Sequence, residues 1–344
     1  MSAMSRRTRV AVLGCGQIAR AVHLPALRSL PEADVVAFAE ADAARRQEVA
    51  AELPGAAPFA DVESLLAQSD AEAVVICLPT ALHAEAAVAA FEAGRHVYLE
   101  KPIGLDLQEG RRVAEAGARS GCVGRVGFNF RFNSQVEASR AALRAGRLGD
   151  VVAVQTVFSV HPGGRQGWRA AQGQGGDVLL DLASHHVDLV RFLLGDEVSR
   201  VSASVRSLHA EADHATLSMT LASGVQVQTF VSHGSVDAFQ LALYGTAGRI
   251  LVDRTGAPGV EITEATFDGA RARRIRRSVE RVDPRYLLRS PGHVPSFGRA
   301  LGAFLGAVRS EPDPVGATLE DGLASLNVVA AATEAARSGA EMGA

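Results

Sequence analysis

The spacing of apolar positions changes partway along the chain. Ahead of Asn129, short continuous apolar runs (Val10 to Leu13, Asp34 to Ala39, Ala73 to Ile76, His96 to Leu99) alternate with longer stretches of helical spacing. Strands with no polar alternation suit a parallel sheet buried on both faces. The pattern predicts helices starting near Ile18, over Ala43 to Leu53, behind Asp61 as an N-cap, and from His83 to Ala93 with Gly94 as the stop. Pro25 is expected to kink or end the first of these. Gly121 to Asn129 reads as the last strand of this half. After a helix over Asn133 to Leu148 the period becomes two. Strands are expected over Val151 to Val160, Val198 to Leu208, Ala215 to Leu221, Val225 to Ser232, Phe239 to Tyr244 and Arg249 to Val252. Links such as Ala222-Ser223-Gly224 suit antiparallel hairpins.

The first strand runs straight into Gly14-Cys15-Gly16-Gln17-Ile18-Ala19, a GxGxxA turn. In such a turn the first glycine makes the bend, the second admits a pyrophosphate, and a small third residue lets helix and strand pack closely. The following helix offers its N-terminal amides to the phosphates. Glu40 ends the second strand 21 residues beyond Ala19, where an acid binds ribose hydroxyls and repels a 2′-phosphate. These positions predict NAD in preference to NADP, although Arg45 and Arg46 lie near enough to receive a phosphate. The fold class is therefore α/β: an N-terminal Rossmann parallel sheet over residues 1–125, then a C-terminal α+β domain over 126–344. The second domain carries a large open, mostly antiparallel sheet. A length of 344 residues suits two domains with separate cores.

Chemistry gathers at strand ends and on one helix. Leu78-Pro79-Thr80 and His83 leave the third long strand, and Glu100-Lys101-Pro102 the fourth, at the sheet edge where ligands bind. Lys101 there can hold a substrate oxygen and stabilise alkoxide charge, or simply end a strand at the surface. From Gly175-Gly176-Asp177 a helix runs to Gly195, with Asp181 and His185 four apart on one face and Asp188 three further on. A carboxylate beside an imidazole orients a general base; the bland alternative is a dipole-favoured acid near a satisfied histidine. His161, in a glycine-rich loop, and His293 are candidate pocket residues or plain loop residues.

Net charge is only -3, which gives no electrostatic reason to expect nucleic acid or an anionic membrane as partner. The run from Arg271 to Arg281 reads as a solvated edge strand or hairpin. No apolar stretch approaches the roughly 20 residues of a membrane helix. Cys15, Cys77 and Cys122 are scattered and odd in number, so neither a disulfide framework nor a metal site is expected. Ser5-Arg6-Arg7 lacks an adequate apolar segment behind it for export, so residues 1–8 read as a tail and the protein as cytoplasmic.

Together, Gly14-x-Gly16-x-x-Ala19, Leu78-Pro79-Thr80-x-x-His83, Ala93-Gly94-Arg95-His96-Val97-x-x-Glu100-Lys101-Pro102 and the Gly175 to Asp188 stretch resemble the glucose–fructose oxidoreductase/inositol dehydrogenase family. Trp168-Arg169 and the helical segment Phe297 to Ala336 extend the resemblance over essentially the whole chain. It implies Lys101, Asp181 and His185 as the catalytic set and a cis bond before Pro102. By the same resemblance, Gly14, Gly16, Gln17, Ile18, Ala19, Glu40, Leu78, Pro79, Thr80, His83, Glu100 and Lys101 face the cofactor. Asn129, Arg131, Trp168, His161 and His233 are the substrate-side candidates. Two departures stand out: Gly-Gly-Asp replaces a glycine trio, and His233 falls where a tyrosine is often found. The implied activity is hydride transfer between NAD and a secondary hydroxyl or ketone of a sugar, polyol or nucleotide-sugar. An NAD-retaining glycoside hydrolase and a non-catalytic NAD- and sugar-binding regulator are the alternatives. A homodimer or homotetramer through the C-terminal sheet is the expected assembly.

Overall fold

The computed structural model describes residues 6–161, 175–255, 259–268, 271–281 and 295–344. The chain divides into two compact units, Met1–Phe132 with Arg289–Leu323, and Asn133–Leu288 with Ala324–Ala344. The division falls at Phe132/Asn133 rather than at 125/126, and a closing segment returns to the first unit. That return is held by named contacts. Val126 N donates to Ala317 O at 2.9 Å, and Arg125 Nε meets Asp313 Oδ2 at 2.8 Å.

In unit 1, β1 (Thr8–Leu13), β2 (Ala33–Ala39), β3 (Ala57–Phe59), β4 (Ala73–Ile76), β5 (His96–Leu99) and β6 (Gly124–Val126) form a parallel sheet ordered β3-β2-β1-β4-β5-β6. The order reverses between β1 and β4, so the loops after them diverge and leave a crevice at the carboxyl edge. Val10 to Leu13 and Ala73 to Ile76 are wholly buried, as continuous apolar runs require. Helices α2 (Ala43–Glu52), α3 (Val62–Gln68) and α5 (Leu107–Ser120) each start behind an aspartate, Asp42, Asp61 and Asp106, whose side chain accepts an N-terminal amide. Helix α8 (Pro295–Val308) packs Leu301, Phe304 and Leu305 into the core that contains Val10, Phe38 and Tyr98.

The segment after the glycine turn is a wide π turn, Ala19–His23, followed by the short α1 (Leu24–Ser29). Pro25 explains it. A proline inside a regular helix lacks its amide and its ring strikes the carbonyl four residues back; a wider turn ahead of it relieves both.

Unit 2 is built on a nine-stranded sheet. Its strands are β7 (Val151–Ser159), β8 (Val198–Arg206), β9 (His214–Leu221), β10 (Gln226–Ser232), β11 (Ala238–Gly245), β12 (Gly248–Asp253), β13 (Gly259–Asp268), β14 (Arg271–Arg281) and β15 (Met342–Gly343). The order is β14-β13-β12-β11-β7-β10-β9-β8-β15, and every pair is antiparallel except β7 with β10. One face is buried through Val154, Leu217, Met219, Val227, Leu241, Leu243, Ile250 and Ile262, with Thr156 and Thr229 hydroxyls bonded across the parallel pair at 2.9 Å. Helices α6 (Ser134–Arg144) and α7 (Ser184–Leu194) pack against each other and on this sheet. The opposite face carries exposed Gln155, Gln228 and Gln240. Thus β14 is an arginine-rich edge strand, which blunts the unpaired edge.

Candidate active site

The dinucleotide turn is shaped by its two glycines in different ways. Gly14 has φ +84°, and a Cβ there would stand 3.0 Å from Cys77 O and from Leu78 Cδ2. Only glycine tolerates that conformation and that approach. Gly16 has no protein atom within 4 Å of a built Cβ, so the turn faces open space where a pyrophosphate can approach the backbone. Ala19 is fully buried against the sheet. Glu40, 7 % exposed, accepts from Cys15 N at 3.0 Å through Oε2, and from Asp42 N (2.9 Å) and Arg45 Nη1 (3.1 Å) through Oε1. Its carboxylate is thereby fixed beside the turn. Thr80 opens a short 3₁₀ turn (Thr80–Leu82) after β4; its buried hydroxyl has no hydrogen-bond partner among the described residues. An open glycine cradle, a fixed acid and an unspent buried hydroxyl fit a bound dinucleotide. Gln17 is exposed, and Ile18, Leu78 and Pro79 are half-buried around the same edge.

The Glu-Lys-Pro corner is held by two buried histidines that lie far from it in sequence. His23 Nε2 lies 2.6 Å from Glu100 Oε1, and Glu100 Oε2 accepts from Lys101 N at 3.3 Å. The Glu100 carboxylate is thus engaged within unit 1, by His23 and the Lys101 amide. Burial pushes the His23 imidazole down, but the adjoining Cys77 and Glu100 outweigh it and hold His23 up at about 10. Burial works to raise Glu100, yet His23 keeps it below the usual carboxylate range. His83 opens α4 (His83–Glu92), with Nδ1 2.7 Å from Pro102 O and Nε2 2.9 Å from Leu78 O. Both ring nitrogens of His83 are turned onto backbone. Burial lowers its proton affinity despite the two carbonyls. His83 therefore ties the loop after β4 to the corner after β5. The Lys101–Pro102 bond is cis, and Lys101 is half-buried.

In unit 2 the helix carrying the second motif begins with another π turn, Leu179–Ala183, before α7. Ser184 Oγ donates to Leu180 O at 2.7 Å, capturing a carbonyl that regular helix spacing would use. Asp177 caps the start by accepting from Leu179 N and Leu180 N. Asp181 emerges from the wide turn with 18 % of its side chain exposed, and its Oδ2 lies 3.1 Å from His233 Nε2. His185 is buried on the next turn with its ring edge-on to Phe158 at 6.1 Å. Next to it, His186 is fully buried, stacked on Phe158 at 5.3 Å and edge-on to Phe239 at 5.1 Å.

The remaining substrate-side candidates are dispersed. Asn129 Nδ2 donates to Ser296 Oγ at 3.0 Å, and Arg131 Nη1 pairs with Asp321 Oδ2 at 3.0 Å, at the start of α9 (Leu319–Ser338). Both side chains are buried and fasten unit 1 internally. His161 is exposed, its backbone bonded to Asp237. Trp168 and His293 lie outside the described residues. Sequence reading did not single out Asp213, which accepts from Leu208 N, His209 N, Ala210 N and His214 Nδ1. Against burial, those donors hold it well below the usual carboxylate range. Its only sequence signal was an acid in a turn. No group of three or more histidine, cysteine or acidic side chains among the described residues is arranged to hold a metal.

The sheet order of unit 1 and its glycine cradle define a dinucleotide-binding protein of the Rossmann type. Comparison with known proteins narrows this. The oxidoreductase family model with an NAD-binding Rossmann fold, GFO_IDH_MocA, matches residues 8–128, and the GFO/IDH/MocA C-terminal domain matches 136–251. The chain is 29% identical over 340 residues to 1,5-anhydro-D-fructose reductase of Ensifer adhaerens, covering 96% of this chain and 97% of that one. It is 30% identical to dTDP-3,4-didehydro-2,6-dideoxy-alpha-D-glucose 3-reductase of Streptomyces violaceoruber, over 74% of this chain and 75% of that one. The fold matches that of levoglucosan dehydrogenase in complex with NADH, with TM-score 0.86 and 21% identity, over 98% and 99% of the two chains. The chain belongs to the GFO/IDH/MocA oxidoreductase family, and its cofactor is NAD. No helix of the described residues is long and apolar enough to cross a membrane.

Proposed function

We propose that this chain moves a hydride between NAD and a secondary hydroxyl or ketone on a sugar, polyol or nucleotide-sugar ring. The observation that carries the reading is the cradle at Gly14 to Ala19, open above Gly16 and flanked by the fixed Glu40. The two relatives named above are both reductases of keto-sugars by their names, which supports a ring ketone or its alcohol as the reacting group. When bound, NAD supplies the hydride chemistry at its nicotinamide. The turn and the amides behind it hold the phosphates, Glu40 the ribose hydroxyls, and Thr80 offers its unspent hydroxyl. Lys101 holds the reacting oxygen and offsets alkoxide charge. His185 takes the hydroxyl proton in oxidation and returns it in reduction, oriented by Asp181.

The test is reduced-nicotinamide formation with NAD across inositols, aldoses, glycosides and nucleotide-sugars, with keto-sugars run in the reverse direction. Loss of a positioned general base costs about 10²–10⁴-fold and loss of a group that stabilises an oxyanion about 10²–10³-fold, so His185→Ala and Lys101→Ala should fall by those orders. If both variants stay within a few-fold of the parent enzyme, the assignment is wrong.

We also infer that the open face of the unit 2 sheet takes a second copy of the chain. The rows Ala153, Gln155, Val157 on β7, Gln226, Gln228, Phe230 on β10 and Ala242, Tyr244 on β11 are uncharged across three adjacent strands. Such a face packs on its own copy without burying an unpaired charge. Sedimentation showing only monomer at micromolar concentration would remove this inference.

A further inference from the structure

His233 stands at the exit of β10, and three features fix it there. Its backbone N donates to Asp213 O at 2.8 Å, its side chain is 4% exposed, and Nε2 lies 3.1 Å from Asp181 Oδ2. Nδ1 is buried with no hydrogen-bond partner among the described residues. An ionised carboxylate can only accept, so Nε2–H is the donor and Asp181 the acceptor in this bond.

The other side of this pair is fastened by the same turn. The β8–β9 connection is drawn together by the Asp213 carboxylate, which takes three backbone amides and His214 Nδ1. From that connection Ala212 O receives Val178 N at 3.0 Å, at the foot of the helix that bears Asp181. One turn therefore sets the backbone on both sides of the His233–Asp181 bond. Gly234 belongs to the arrangement, since a Cβ there would press on His214 Cε1 at 2.8 Å and His209 Cδ2 at 2.9 Å.

We propose that His233 is a positioning residue of the proton-transfer set: it locks the Asp181 carboxylate by donating Nε2–H, with the Asp213 turn as the clamp. This rests on the reading of Asp181 and His185 as that set. A donor from a different strand restricts rotation of the Asp181 carboxylate and fixes where it presents its remaining lone pairs. Residues with a role in substrate binding alone change KM. A positioning residue changes kcat, because misplacement of the acid–base group is felt in the transition state.

Two measurements on the chain of 344 residues test this. In the first, His233→Leu and His233→Gln are compared with the parent enzyme on whichever substrate of the panel above turns over. The Leu variant should lose about 10- to 100-fold in kcat with KM within a few-fold. The Gln variant, which keeps an N–H donor, should recover most of the loss. A rise in KM at constant kcat, or equal damage by Leu and Gln, overturns the proposal. The second needs no substrate. The imidazole ¹H–¹⁵N signal of the His233 Nε2–H should be protected from water exchange in the parent protein and lost or shifted in Asp181→Ala. An Nε2–H signal indifferent to Asp181→Ala overturns the bond itself. If that bond is present while His185→Ala remains active, the proposed function fails and the His233–Asp181 lock stands.

Discussion

His186 offers a sharp test of how unit 2 is assembled, because it is an imidazole where packing asks for an apolar ring. It is wholly buried between Phe158 and Phe239, and neither ring nitrogen finds a hydrogen-bond partner among the described residues. Burial pushes its proton affinity down to about 3, from an ordinary 6.5. The folded state thus stays neutral while the unfolded chain takes up a proton as pH falls. Stability contributed by the neutral form is complete above pH 6.5 and is lost progressively down to about 3, at about 1.4 kcal/mol per pH unit. Between pH 7.5 and 4.5 the loss from this residue alone is about 2–3 kcal/mol. His186→Leu removes the titration. At pH 7.5 the variant sheds the cost of unmet polar atoms, about 1–3 kcal/mol, and forfeits ring stacking of about 0.5–1.5 kcal/mol, so it should be equal or slightly more stable. Urea unfolding followed by circular dichroism at both pH values gives the comparison. The stability gap in favour of Leu should widen by about 2–3 kcal/mol on going to pH 4.5. Parallel loss in the two proteins would show that His186 has a partner or solvent access, and the reasoning would fail.

Three further variants concern unit 1. Gly16→Ala should leave the melting temperature unchanged, because no protein atom meets the added Cβ, yet weaken NAD binding at least about tenfold. Gly14→Ala, at φ +84° and against Cys77 O, should destabilise the fold by about 1–3 kcal/mol; calorimetry with and without NAD separates the two effects. His23→Leu strands the buried Glu100 carboxylate and should cost about 3–5 kcal/mol at neutral pH. Since His23 is raised from 6.5 to about 10, the stability it adds is full below pH 6.5. That stability falls away as pH rises through 10, so an alkaline unfolding limb present in the parent protein should be weakened in the variant.

The parts of this molecule written in local pattern were legible in the sequence. Continuous apolar runs and the glycine turn gave the parallel strands, with Glu40 at the end of β2, and alternation gave the antiparallel strands. The strand Ala57-Pro58-Phe59 was hidden because Pro54-Gly55 just ahead of it reads as a turn and the strand itself carries Pro58, which only its edge position in the sheet tolerates. The parallel pairing of β7 with β10 is invisible to short-range hairpin logic, which assumes that neighbours in sequence pair. Pro25 signalled a disturbance but not a π turn, and nothing local marked the one at Leu179–Ala183. The site was half legible. Spacing placed Asp181 and His185 on successive turns, but their environment depends on side chains far along the chain. His233 reaches Asp181 across 52 positions, and His23 reaches Glu100 across 77. Such pairs leave no periodic trace, so neither could be read from the sequence.

If this chain carries a hydride between a ring carbon and NAD, the transferred atom can be followed by isotope. The most direct test uses a substrate from the panel deuterated at the reacting carbinol carbon, with mass analysis of the nicotinamide product. Deuterium should appear in the reduced nicotinamide with slowed turnover, and Lys101→Ala should form that product about 10²–10³-fold more slowly. Deuterium released to water, or glycoside cleavage with no net reduced nicotinamide, would contradict hydride transfer.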